Sequence, residues 1–325
     1  MTGESAEMLA WGKNTCVFSG TANPALSAEI AKEMGKPLGD LEVTRFPDGE
    51  LFVKYKENIR GADVFIIQPT CAPPNETLME LLILIDAAKR ASATRITAVI
   101  PYYGYARQDR KDQPRVPITA KLVANLITVA GATRILAVDL HSQQIQGFFD
   151  IPVDHLNAAP VMVPYLREKL GKEGVVVAPD SGSVKLAQSY SDMLNAGLAV
   201  VAKRRINALS VESSHLVGDV EGRICLLTDD LATTAGTLTA AANLLKKEGA
   251  KKVYAAVTHC LIGDVGRSRL MDSCIDELVV TNSIPVTDNC NGRIKVLSIA
   301  KLLAEGITRI HEGTSVSSLF KIHDK

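Results

Sequence analysis

What this sequence lacks narrows its class first. Its six cysteines, Cys16, Cys71, Cys225, Cys260, Cys274 and Cys290, are scattered, with no CxxC pair and no histidine at zinc-finger spacing. That pattern excludes a disulfide scaffold and a structural zinc cage, and it reads as reduced thiols. Net charge is missing too: 36 Lys and Arg balance 36 Asp and Glu. No global field therefore draws nucleic acid or an anionic membrane to the chain, although a local basic site stays open. No apolar run reaches membrane-spanning length. The opening stretch MTGESAEMLAWGKN shows no basic segment followed by an apolar one, so no secretory signal is expected. The expected location is the cytoplasm.

What is present is an alternation. Hydrophobic residues make up 46% of the 325, and charged residues 22%. That is enough apolar material for two ordinary domains, each with its own core. Short β-rich runs (16–20, 63–68, 95–100, 134–140, 175–179, 198–203, 223–229, 253–259, 277–281) are spaced by helical patterns such as 76–92, 118–131 and 238–249. Strands apolar nearly throughout, separated by amphipathic helices, predict an α/β fold of mainly parallel sheets flanked by helices. One phrase recurs as SATRITAVIP (92–101), GATRILAVDL (131–140) and GAKKVYAAVT (249–258). It describes any αβ unit, and equally two similar domains in tandem. The boundary is placed near 150–160: 14–155 for the first domain and 156–320 for the second. The strand–helix unit at 294–311 is a candidate to pack back on the first.

Ligands of open α/β sheets sit beyond the carboxyl ends of the strands, and four polar segments take that position. In RICLLTDDLATTAGT, Asp229 and Asp230 end an apolar strand, and Thr233, Thr234, Ala235, Gly236 and Thr237 lead into a helix. Amides and hydroxyls at a helix start favour an anion, while carboxylates suit diol hydroxyls or magnesium. The plain alternative is a helix cap. VVVAPDSGSVKLA (175–187) repeats the scheme with Asp180, as a second anion cradle or an ordinary turn. AVDLHSQQIQGFFD (137–150) presents His141, either structural or, with Asp180, directed at the magnesium of a nucleotide. PYYGYARQDRKDQPRVP (101–117) is a solvated loop on composition, yet Arg107 and Gln108 among tyrosines also suit a nucleotide clamp.

Together these segments resemble the ribose-phosphate pyrophosphokinase family, from about Asn14 to Phe320. RFPDGE (45–50), YARQDRK (105–111), DLHSQQIQGFF (139–149), AKRR (202–205) and DDLATTAGT (229–237) stand in that family's order and spacing. The resemblance implies two phosphoribosyltransferase-like domains and transfer of the pyrophosphoryl group of MgATP to ribose 5-phosphate, with Mg2+ as cofactor. It assigns Asp229 and Asp230 to the ribose hydroxyls, and Thr233 to Thr237 to the 5-phosphate. Arg107, Gln108 and Asp112 fall to ATP; Phe46, Asp48 and Glu50 take its adenine from a neighbouring subunit of a hexamer. His141 and Asp180 fall to magnesium, Lys203 and Arg205 to the transferring group. Arg115, Ser315 and Ser317 match a regulatory phosphate site. No nucleic-acid or membrane partner is implied.

The chain departs from that pattern where Thr233 replaces the usual Asp, and where Ser183 and Leu186 replace a Gly and an Arg. A catalytically weak regulatory homologue is therefore one competing expectation. A phosphoribosyltransferase is another, opposed by the ATP-side segments RFPDGE and YARQDRK. A binding module without chemistry is opposed by paired carboxylates beside a phosphate loop.

Overall fold

A run such as DVFII has no polar face to offer water, so it is stable only where a sheet is covered on both sides. A computed structural model, which describes residues 15–204 and 213–320, builds these runs into parallel sheets flanked by helices. The chain divides into two compact units. The first holds the described residues of Met1–Asn157 with Ser283–Pro285 and Ile299–Lys321; the second holds Ala158–Asn282 with Val286–Ser298.

The first unit runs β1 (Thr15–Ser19), α1 (Pro24–Glu33), β2 (Leu41–Arg45), β3 (Leu51–Tyr55), β4 (Asp63–Ile67), α2 (Pro74–Arg90), β5 (Arg95–Ile100), α3 (Thr119–Ala130), β6 (Arg134–Val138) and β7 (Val153–Leu156). Its sheet has the order β1-β4-β5-β6-β7, with every neighbouring pair parallel. Phe18, Ile66, Leu84, Ile100 and Ile127 lie in its core. Helix starts follow local chemistry: Pro24 and Pro74 occupy first-turn positions, where a missing N–H costs nothing.

The second unit runs α4 (Ala159–Leu170), β8 (Val175–Ala178), α5 (Val184–Leu194), β9 (Gly197–Arg204), β10 (Ser213–Val217), β11 (Ile224–Ala232), α6 (Gly236–Lys247), β12 (Lys252–Cys260), α7 (Asp264–Met271), β13 (Glu277–Thr281) and β14 (Ile294–Leu297). Its sheet has the order β10-β9-β8-β11-β12-β13-β14, parallel except for the antiparallel edge strand β10. The final helix, α8 (Ala300–Glu312), belongs to the first unit, where it packs on α1.

Several elements differ from the sequence reading. The unit at 294–311 does not move as one. β14 pairs with β13 in the second sheet, as in Val280 opposite Val296, and only α8 joins the first unit. There Gly306 lets the helix approach β6 and β7: a Cβ on it would lie 3.1 Å from Leu156 and 3.3 Å from Leu136. RFPDGE proves to be the turn of an antiparallel hairpin, β2–β3. The period-2 alternation of LEVTR and LFVKY around Pro-Asp-Gly carries that signal. β7 and β10 were also not expected. β6 stops at Val138, short of the expected 140, because Asp139 turns to φ +38°. β11 instead runs on to Ala232, past the expected end at 229, so Asp229 and Asp230 lie within the strand and not at its end. All six cysteines are free thiols, and burial is the largest cause raising the pKa of each. Among the described residues no helix is long and apolar enough to cross a membrane.

Candidate active site

In the second unit, the parallel register sets β11 beside β8, with Leu227 opposite Val177. Asp180, two residues past β8, and Asp229, in the last part of β11, therefore share one end of the sheet. Asp229 is half-buried, and its Oδ1 accepts the Asp230 amide at 3.0 Å. Burial, then the neighbouring Asp230 carboxylate, push its pKa up to about 8, with the charge of Asp180 adding to the rise. Such a carboxyl is available as a hydrogen-bond donor or acceptor near neutrality. Lys203 lies on β9, opposite Ser214 of β10 by backbone pairing. Arg205 lies outside the described residues.

Directly after β11 the chain turns into α6. Ala235 takes φ +54° and precedes the helix without any side-chain cap. The amides of its first turn have no side-chain acceptor, as at every other α-helix start among the described residues except that of α1, and such amides suit an anion. Thr234 is exposed, while Thr233, Gly236 and Thr237 are half-buried. An uncapped helix start thus follows paired carboxylates, an arrangement that suits an anion beside hydroxyl groups.

The second expected cradle is not open in the same way. The Asp180 carboxylate folds back on its own loop: Oδ1 accepts the Gly182 amide at 2.9 Å and the Ser183 amide at 3.2 Å. Asp180 thus supplies the anion that these amides favour, and a phosphate there would compete with it. Ser183, buried, donates its hydroxyl to the Asp180 carbonyl at 3.2 Å. Its added bulk is tucked into the turn.

In the first unit, Arg107 and Gln108 follow β5, and His141 follows β6. The two loops are tied by Gln144 Nε2 donating to Asp109 at 3.1 Å. Gln108 is held by backbone: its amide donates to Tyr105 O at 2.9 Å, and its carbonyl accepts the Ala120 amide at 3.1 Å. Its side-chain oxygen accepts from Thr119, at the start of α3. Arg107, Asp112 and Arg115 are exposed, Arg115 with φ +65°. His155, missed by the sequence reading, braces the turn at His141 by accepting the Leu140 amide on Nε2 at 2.9 Å. Among the hairpin residues, Phe46 is 50% exposed and meets Phe52 edge-on at 5.8 Å between ring centres. Asp48 accepts the Glu50 amide at 3.1 Å, and Arg45 pairs with Glu76 of α2 at 2.8 Å. Ser315 accepts the Ser317 amide at 3.2 Å, ahead of a 3₁₀ turn at Ser317–Phe320.

His141 belongs to the first unit and Asp180 to the second. A carboxylate oxygen suits magnesium directly, and an imidazole suits it less. Asp180 Oδ2 lies outside the loop bonds that occupy Oδ1, which leaves one oxygen of the kind magnesium takes. Among the described residues no group of three or more His, Cys, Asp and Glu side chains could hold a metal ion by itself.

The chain matches known proteins along most of its length. The family described as the N-terminal domain of ribose phosphate pyrophosphokinase matches residues 15–131, and the phosphoribosyl synthetase-associated domain matches 206–321. The ribose-phosphate pyrophosphokinase of Caldanaerobacter subterraneus subsp. tengcongensis is 54% identical over 306 residues, covering 94% of this chain and 97% of that one. That of Clostridium perfringens is 52% identical, covering 95% and 98%. The crystal structure of phosphoribosylpyrophosphate synthetase from Mycobacterium smegmatis superposes with a TM-score of 0.87 at 45% identity, covering 93% of this chain and all of that one. Agreement of this extent, in sequence and in backbone, makes the chain a member of the ribose-phosphate pyrophosphokinase family.

Proposed function

We propose that this protein transfers the pyrophosphoryl group of MgATP to the 1-hydroxyl of ribose 5-phosphate, giving phosphoribosyl pyrophosphate and AMP. The observation that carries this reading is the junction of β11 and α6, where Asp229 and Asp230 meet a helix start without a side-chain cap. Carboxyl groups hold vicinal hydroxyls, and helix amides with threonine hydroxyls hold a phosphate. One segment, Asp229 to Thr237, thus grips both ends of a sugar phosphate.

In the reaction the sugar oxygen forms a bond to the β-phosphorus of ATP, the bond from that phosphorus to the AMP oxygen breaks, and the hydroxyl proton departs. Positioning and charge neutralisation dominate such a transfer. Lys203 and Arg205 meet the charge that develops on the transferring group. Arg107, Gln108 and Asp112 hold ATP; Phe46, Asp48 and Glu50 receive its adenine from a neighbouring subunit of a hexamer. His141 and Asp180 are the residues that would hold magnesium, which would supply charge neutralisation at the phosphates of the nucleotide. Arg115, Ser315 and Ser317 bind an activating phosphate. The protein works in the cytoplasm.

The test is AMP release from MgATP, with and without ribose 5-phosphate, by the protein and by Lys203→Ala. Sugar-dependent release, cut about a hundredfold or more by the substitution while ATP still binds, is the expected result. No release from folded protein supplied with phosphate and magnesium would overturn the reading and favour a regulatory homologue. The inward-turned hydroxyl of Ser183 supports an active enzyme, because that departure adds no bulk to the ligand side of its loop.

A further inference from the structure

The loop from Thr233 to Thr237 does not hold itself in place. Ala235 adopts a left-handed conformation that a residue with a side chain resists, and no side chain caps the helix behind it. Two residues of α7, one helical turn apart, supply the support. Gly266 brings the helix against the loop backbone: a Cβ there would lie 2.9 Å from the Thr233 carbonyl oxygen. Arg269 donates from Nη1 to the Thr234 carbonyl at 3.3 Å, and the same nitrogen lies 3.2 Å from where a Cβ on Gly236 would stand.

The charge of Arg269 is left for the loop. Arg267, on the same helix, is compensated by Asp264 at 3.0 Å and Asp288 at 3.8 Å. Among the described residues no carboxylate forms an ion pair with Arg269. Its bond also has a direction. In a trans peptide the C=O and the following N–H point to opposite sides. Anchoring the Thr234 oxygen on α7 therefore turns the Ala235 N–H away from α7.

We propose that Arg269 is a positioning residue for the ribose 5-phosphate loop. It fixes the Thr234–Ala235 peptide so that its amide faces the phosphate, and it stands behind that amide as an uncompensated cation. The inference rests on the sugar-phosphate reading of the same loop. It assigns to Arg269 the affinity for ribose 5-phosphate and no part in the transfer step.

The experiment compares the wild-type protein with Arg269→Gln and Arg269→Lys in steady-state kinetics, with a thermal melt of each. Glutamine should raise KM for ribose 5-phosphate about tenfold, the size of a lost charge-assisted hydrogen bond at an exposed site. KM for ATP and kcat should stay within about twofold, because no interaction confined to the transition state is removed. Lysine, which keeps the charge, should recover most of the loss. Added sodium chloride should weaken ribose 5-phosphate binding by the wild type more than by the glutamine variant. An unchanged KM for ribose 5-phosphate, a fall in kcat to match, or lysine no better than glutamine would each overturn the assignment. Wild-type protein that releases no AMP with ribose 5-phosphate defeats the parent reading instead, so the two failures are distinct. Arg269 is exposed, so its replacement buries no unpaired group; the lysine comparison with wild type at low and high salt stands even if the glutamine variant does not fold.

Discussion

Asp229 is the residue whose chemistry is most altered by the fold. Burial and the adjacent Asp230 raise its pKa from 3.8 to about 8, so in the metal-free, substrate-free protein it holds a proton that the unfolded chain has given up. A raised carboxyl pKa stabilises the folded state below the unfolded value, and that stability is lost as pH climbs from about 4 to about 8. Asp229→Asn cannot titrate and escapes this loss. Its melting temperature relative to wild type should therefore move upward between pH 5 and pH 8, while its use of ribose 5-phosphate collapses. A melting difference that stays constant across that window would show Asp229 ionised in the empty site. The same residue explains why a strand runs through the site: its backbone pairs with Val257 of β12, so the carboxyl is placed by the sheet and not by a loop.

At the scale of elements, α8 is the piece that crosses from the end of the chain to the first unit, and it is fastened there by charge. Asp63, fully buried at the start of β4, pairs with Arg95 at the start of β5 and meets His311 Nδ1 at 2.7 Å. Arg95 also donates to the carbonyls of Ile310 and His311 at 3.5 and 3.4 Å, where the negative end of a helix dipole favours a cation. Asp63→Asn removes the negative charge that compensates that guanidinium and should cost about 3 kcal/mol in urea unfolding. His311→Gln, which keeps a donor toward Asp63, should cost about 1 kcal/mol. Equal and small losses in both would mean that α8 is held by its apolar face, Leu302, Leu303, Ile307 and Ile310, alone. None of this was legible in the sequence, since partners 248 residues apart carry no local pattern. Apolar runs such as RITAVI and ELVVT were legible because burial on both faces leaves little else for them to be. The β11–α6 junction was legible because its acids, hydroxyls and glycine are consecutive. Arg269 was not, for a basic residue in GDVGRSRL looks like any solvated helix face until α7 is folded against the loop.

For the whole molecule, the question is whether one chain contains a complete site. The β2–β3 hairpin ends in Phe46, half exposed, with Phe52 beside it at 40% exposure. Arg45, bonded to Gly49 O at 2.9 Å and to Glu76, stiffens the tip. A rigid hairpin that presents aromatic surface to solvent is suited to complete a neighbour, as the proposed adenine site requires. Mixing two defective variants decides the matter. Phe46→Ala with Asp48→Asn damages the hairpin side of a site, and Lys203→Ala damages the transfer side. If each site draws its hairpin from one subunit and its lysine from another, random co-assembly of equal amounts leaves about a quarter of the sites intact. The mixture should then recover roughly that fraction of wild-type AMP release after dissociation and reassembly, although each variant alone is nearly inactive. If the hairpin serves its own chain, every site carries one lesion and mixing restores nothing. Recovery would also require that the assembly persist at assay concentration, so diluting the mixture below its dissociation constant should abolish the regained activity.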